Sequence, residues 1–93
     1  MRAEYRVVYS DQALKALRKM DSTEREVILG WINKNLVGCS DPRAHGKALA
    51  GERSEEWRYR IGSYRILAEI DDDQVTVEVI KVGHRSKVYR FTS

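Results

Sequence analysis

The sequence has little that could cross-link or anchor it. Cys39 is the only cysteine in 93 residues, so no internal disulfide can form and no second thiol exists to share a structural zinc. Its expected role is that of a half-buried bystander in a loop, in a protein of the reducing cytoplasm. No run of about 18 apolar residues occurs, so no membrane-spanning helix and no membrane partner are expected. Residues 1–10 carry charges and no apolar h-region, and no secretory signal is expected. The two histidines, His45 and His84, do not stand among cysteines or carboxylates at metal-ligand spacing. There is no P-loop, no G-x-G-x-x-G and no serine-nucleophile motif. Any chemistry is therefore expected to need neither metal nor cofactor. Internal repeats, low-complexity tracts and linker-like Ser/Gly/Pro runs are also missing, and residues 1–93 read as one domain with one core.

Charge, by contrast, is plentiful. Charged residues make up 33% and hydrophobic residues 42% of the chain, the balance of a globular rather than a disordered protein. A net charge of +3 is too common among soluble domains to name a partner. Its arrangement says more. Residues 56–93 hold Arg58, Arg60, Arg65, Lys81, Arg85, Lys87 and Arg90, while Asp71, Asp72 and Asp73 share one polar turn. The positive excess can therefore gather on one surface.

The first strand is read in "EYRVVY" (4–9), which is β-branched and aromatic. Ser10 and Asp11 offer N-cap oxygens to a short amphipathic helix, "QALKALRKM" (12–20). A second helix starts near "DSTERE", where Asp21 with Glu24, or Thr23 with Glu26, can form a capping box. Val27, Ile28, Trp31, Ile32 and Leu36 give it a broad apolar stripe, and Trp31 is read as core. Gly38, Ser40-Asp41-Pro42 and Gly46 mark the end of the helix and a long loop. Residues 46–56 show no clear period. Three strands follow at 56–61, 64–70 and 74–82. The order β-α-α-β-β-β predicts an α+β domain: an antiparallel sheet with both helices on one face and the other face open for function.

That second face holds the most informative feature. In "WRYRIGSYRI" (57–66), Gly62-Ser63 fits a two-residue type II′ turn between alternating strands. Ile61 then faces Tyr64, Arg60 faces Arg65, and Arg58 faces Leu67. Like charges directly across a ladder repel, and local rules tend to be broken where function requires it. Converging guanidinium groups can grip a phosphate bidentately. The plainer alternative is a solvated face on which Glu69 or Glu78 neutralises the arginines, with Glu78 expected across from Leu67.

The last strand runs into "VGHRSKVYRF" (82–91). Continued alternation puts Ile80, Val82 and His84 on the arginine face, followed by Arg85 and, one helical turn later, Tyr89. Histidine can carry a proton near neutral pH, and an aromatic ring can stack an unpaired base. Each also has a bland reading: His84 can cap a strand end, and Tyr89 can pin the tail to the sheet.

Together, "LAG" (49–51), "WRYRIGSYRIL" (57–67) and "VIKVGHRSKVY" (79–89) resemble the RelE branch of the RelE/ParE superfamily of bacterial toxin–antitoxin toxins, over essentially the whole chain. The resemblance implies the RelE-like microbial RNase fold, with a short C-terminal helix or tail before Ser93. It implies a cytoplasmic, ribosome-dependent endoribonuclease that enters the 30S A site, against rRNA, and cuts the mRNA codon there. The mRNA's 2′-hydroxyl would attack the adjacent phosphate and leave a 2′,3′-cyclic phosphate and a 5′-hydroxyl. The matching positions are Arg58 and Arg60 for two basic strand residues, Arg65 for the phosphate-binding arginine, Arg85 near the leaving group, and Tyr89 for base stacking. The catalytic set is thus Arg60, Arg65, His84, Arg85 and Tyr89, with Arg58, Lys81 and Lys87 holding RNA. The resemblance also implies a cognate RelB-like antitoxin that covers the basic face and reaches operator DNA only as a complex with the toxin. Arg58 and Arg60 stand where a well-known member carries lysines. Arginine stays protonated, so His84 or Glu78 would serve as base, or positioning and electrostatics would suffice. Two other readings use the same fold: a gyrase-directed toxin of the ParE branch without nuclease activity, and a non-catalytic RNA-binding module. Arg65, His84, Arg85 and Tyr89 together favour the nuclease.

Overall fold

The computed structural model describes residues 4–48 and 56–84. Strands β1 (Arg6–Tyr9), β2 (Lys47–Ala48), β3 (Glu56–Ile61), β4 (Tyr64–Asp71) and β5 (Thr76–His84) form a sheet in the order β1-β5-β4-β3-β2. Helices α1 (Asp11–Lys19) and α2 (Ser22–Asn35) follow β1, and a 3-10 turn spans Pro42–Ala44. The α+β class and the order of strand, two helices and three strands agree with the sequence pattern. The two-residue β2 is an addition, too short to show any period. The C-terminal helix or tail lies outside the described residues.

Alternation along the strands turns Tyr59, Ile61, Ile66, Ala68, Ile70, Val77, Val79 and Val82 to one side. There they meet Ala13 and Leu17 of α1, Ile28 and Ile32 of α2, and Leu36. Each helix sends residues four apart into this core, so both helices cover the same sheet face. Trp31 is half-buried against the core, its ring 5.5 Å from that of Tyr59. Val27, expected in the apolar stripe, is 58% exposed.

The sheet is mixed rather than wholly antiparallel. β1 runs parallel to β5, with Val7 beside Val77 and Tyr9 beside Val79. A parallel neighbour needs a long crossover, which the two helices and the β2–β4 meander supply. Apolar alternation marks a strand but not its neighbour, so the sequence carries no sign of this pairing.

The β4–β5 ladder contains a bulge. Ala68 faces Val79, yet Leu67 faces Lys81, leaving Ile80 as the extra residue. Inward-facing residues are therefore Val77 and Val79 before the bulge and Val82 after it. Ser10 clamps this point. Its N–H donates to the Val79 carbonyl (2.9 Å) and its Oγ donates to the Ile80 carbonyl (2.7 Å). The same Oγ accepts the Ala13 N–H (3.0 Å) as the N-cap of α1. One hydroxyl thus satisfies a helix start and the carbonyl of the bulged residue.

The expected capping box on α2 does not form. Asp21 is the N-cap but its side chain makes no cap bond, and Thr23 lies inside the helix. The Glu24 carboxylate instead accepts the Tyr64 hydroxyl, a tertiary contact that displaces the local one. After α2, Cys39 is half-buried, burial pushes its thiol up, and its carbonyl accepts the Tyr5 N–H (2.8 Å). The turn after β4 is polar, as its aspartates suggest. Asp72 accepts two hydrogen bonds from Arg43 (3.0 and 3.2 Å) and one from the Tyr5 hydroxyl (2.7 Å).

Candidate nucleic-acid interface

Gly62 has φ +58° and Ser63 has a negative φ, as a type II′ turn requires. The turn sets the register: Ile61 faces Tyr64, Arg60 faces Arg65, and Arg58 faces Leu67. Tyr59 and Ile61 are buried under the helices, so Arg58 and Arg60 project from the opposite face.

Three cross-strand rows emerge on that face. Nearest the hairpin, Arg60, Arg65 and Gly83 lie side by side. The next row holds Lys47, Arg58, Leu67 and Lys81. The third holds Glu56, Glu69 and Glu78. Strands stand about 4.8 Å apart and same-face neighbours along a strand about 7 Å apart. Glu78, expected across from Leu67, faces Glu69 instead, in the register that runs unbroken from the β4–β5 turn up to the bulge. Among the described residues no ion pair joins a carboxylate to Arg58 or Arg60.

Gly46, Lys47, Arg58, Arg60 and Arg65 line an open groove of about 240 Å³. Its wall depends on a glycine. Gly46 has φ +76°, and a Cβ there would lie 2.2 Å from the Arg58 carbonyl oxygen and 2.8 Å from Trp57 Nε1. Only glycine lets this loop close onto β3. Trp57 Nε1 donates to the His45 carbonyl, and the Arg43 guanidinium sits 5.9 Å from the Trp57 ring, bracing the same wall. Arg65 Nη1 donates to the carbonyls of Gly62 (3.2 Å) and Tyr64 (3.1 Å), which fixes its guanidinium against the turn. Three guanidinium groups and an ammonium over a concave floor concentrate positive potential, and the guanidinium fork matches phosphate oxygens.

Of the residues singled out in the sequence, the fold gathers Arg58, Arg60 and Arg65 in this groove and puts Lys81 on the same face beyond Leu67. His84 is not among them. The bulge reverses the alternation, so Val82 enters the core and His84 emerges on the helix side. Its ring meets Tyr64 edge-on at 5.7 Å, in a separate cleft with Lys19, Asp21 and Glu24. Arg85, Lys87 and Tyr89 lie outside the described residues. Lys47 escapes sequence reasoning because a two-residue strand has no period; Gly46 beside it is the one usable signal. Among the described residues no group of three or more His, Cys, Asp or Glu is placed to hold a metal ion. Among the same residues, no helix is long and apolar enough to cross a membrane.

A family model, that of the ParE toxin of the type II toxin–antitoxin system parDE, matches residues 7–89. The chain belongs to the RelE/ParE toxin superfamily. Toxin RelG of Mycobacterium tuberculosis is 40% identical to this toxin over 86 residues, covering 92% of this chain and 97% of that protein. The mRNA interferase toxin RelE of Escherichia coli is 35% identical over 89 residues, 91% of this chain and 90% of that one. In fold, this toxin is similar to a chain of the toxin–antitoxin complex RelBE2 from Mycobacterium tuberculosis. The TM-score is 0.78 at 28% identity, covering 94% of this chain and 98% of the other.

Proposed function

We propose that this toxin is an endoribonuclease that cuts mRNA in the A site of the 30S ribosomal subunit. The observation that carries this reading is the Arg60–Arg65 pair above the groove. Two cations directly across a ladder cost stability by themselves. A phosphate between them reverses the sign of that term, since each guanidinium then faces an anion. The naming of a 35% identical relative as an mRNA interferase supports the same substrate.

In the proposed reaction the 2′-oxygen attacks the adjacent phosphorus while the P–O5′ bond breaks. A 2′,3′-cyclic phosphate and a 5′-hydroxyl result, one proton leaving the 2′-oxygen and one reaching O5′. Arg60 and Arg65 grip the scissile phosphate and stabilise the charge that builds on its non-bridging oxygens. Arg58, Lys81 and Lys87 hold the flanking RNA and rRNA. Arg85 is assigned to the leaving group and Tyr89 to base stacking, both by resemblance. His84 takes no part in the proton transfers, because it lies across the sheet beside Tyr64. With arginines that stay protonated, most of the rate comes from alignment and charge stabilisation. A RelB-like antitoxin would cover the basic face in the cytoplasm, and operator DNA would be met only through that complex.

The test is mRNA cleavage on programmed ribosomes, with 5′-end mapping, beside the same mRNA without ribosomes. Cuts inside the A-site codon that require ribosomes are expected. No cuts in either tube, from folded toxin without antitoxin, would overturn the reading.

A further inference from the structure

We propose that Lys47 is a positioning residue for the RNA backbone, and that the backbone crosses the strands of this face rather than running along them. This deepens the endoribonuclease reading and rests on it. Lys47 is the β2 partner of Arg58 and lines the groove with Arg58, Arg60 and Arg65. It therefore extends the positive floor one strand beyond the hairpin. The row from Lys47 through Arg58 and Leu67 to Lys81 crosses four strands, a span of about 14 Å at the usual strand spacing.

The neighbouring rows set the direction. Along the strands, away from the hairpin, the next side chains on this face are Glu56, Glu69 and Glu78. A phosphate chain following β3 or β4 would leave the arginines and meet this carboxylate row within about 7 Å, where like charges repel. A chain crossing the strands stays over cations and passes the apolar side chain of Leu67. Gly46 holds Lys47 in this register, since any Cβ at that position would strike the Arg58 carbonyl.

The experiment measures binding of a short single-stranded RNA oligonucleotide to the intact toxin across a salt series, alongside cleavage on programmed ribosomes. Lys47→Ala is expected to weaken binding several-fold and to flatten the slope of log affinity against log salt by about 0.7, the value for one phosphate contact on a single strand. Lys47→Arg should restore both. Lys15→Ala, which removes one charge from α1 on the helix layer, should leave the slope unchanged. Glu69→Lys should strengthen binding by extending the cationic field over the boundary row. If Lys47→Ala keeps the wild-type slope while Arg65→Ala loses cleavage, the role of Lys47 is overturned and the nuclease reading stands. If neither variant changes binding or cleavage, both fall. If Glu69→Lys leaves affinity unchanged, the carboxylate row sets no boundary and the crossing direction is overturned.

Discussion

Arg60 of β3 faces Arg65 of β4 directly across the hairpin ladder, and the Arg65 guanidinium is tied to the turn carbonyls of Gly62 and Tyr64. Two like charges are therefore held side by side where an opposite pair would fold better. A phosphate seated over the pair would offset that repulsion.

Removing the repulsion should stabilise the toxin and disable it. Arg60→Glu puts opposite charges across the ladder and should raise stability by about 0.2–1 kcal/mol, visible as a higher melting temperature. Cleavage on ribosomes should fall in the same variant. A protein both less stable and fully active would contradict this account of the pair.

Ser10 joins the start of α1 to the bulge in β5. Ser10→Ala removes the bond to Ala13 N–H and the bond to the Ile80 carbonyl together. The expected cost is about 1–3 kcal/mol in urea unfolding, and Ser10→Thr, which keeps the hydroxyl, should recover most of it.

Asp72 makes stability fall in acid. Hydrogen bonds from Arg43 first, and from Tyr5 second, hold its carboxyl below the usual carboxylate range. A lowered folded-state pKa means that the contribution is complete above the unfolded value of about 3.9 and is lost as pH falls through the folded value. The carboxylate is largely solvent-exposed, so the contribution is about 1 kcal/mol or less. Urea midpoints of wild type and Asp72→Asn, measured from pH 7 down to pH 3, should converge at the acid end. A constant difference across that range would contradict the assignment.

His84→Gln tests the consequence of the bulge. Because His84 packs on Tyr64 across the sheet from the arginines, cleavage should stay close to wild type. Losing a general acid or base would instead lower the rate about 10²–10⁴-fold.

The hairpin and its arginine pair are legible in the sequence because local chemistry fixes them. A Gly-Ser turn between alternating runs leaves one register, and the register sets every side chain from Arg58 to Leu67. The helices are legible through their four-residue spacing. The placement of His84 is not. The one trace of the extra residue is a change of phase in the pattern, Val79-Ile80 followed by Lys81-Val82, and the group that clamps it, Ser10, lies 70 positions away. Missing the bulge moves His84 onto the wrong face. The parallel β1–β5 pairing and the short β2 are hidden for a related reason: both are set by packing between distant segments.

The most direct test of the central claim is the single-turnover rate of A-site cleavage by Arg65→Ala on programmed ribosomes. If Arg65 stabilises charge on the scissile phosphate, the rate should fall about 10²–10³-fold, while thermal stability holds or rises as the Arg60 repulsion is relieved. Cleavage at the wild-type rate by folded Arg65→Ala would contradict the assignment of this face to phosphoryl transfer.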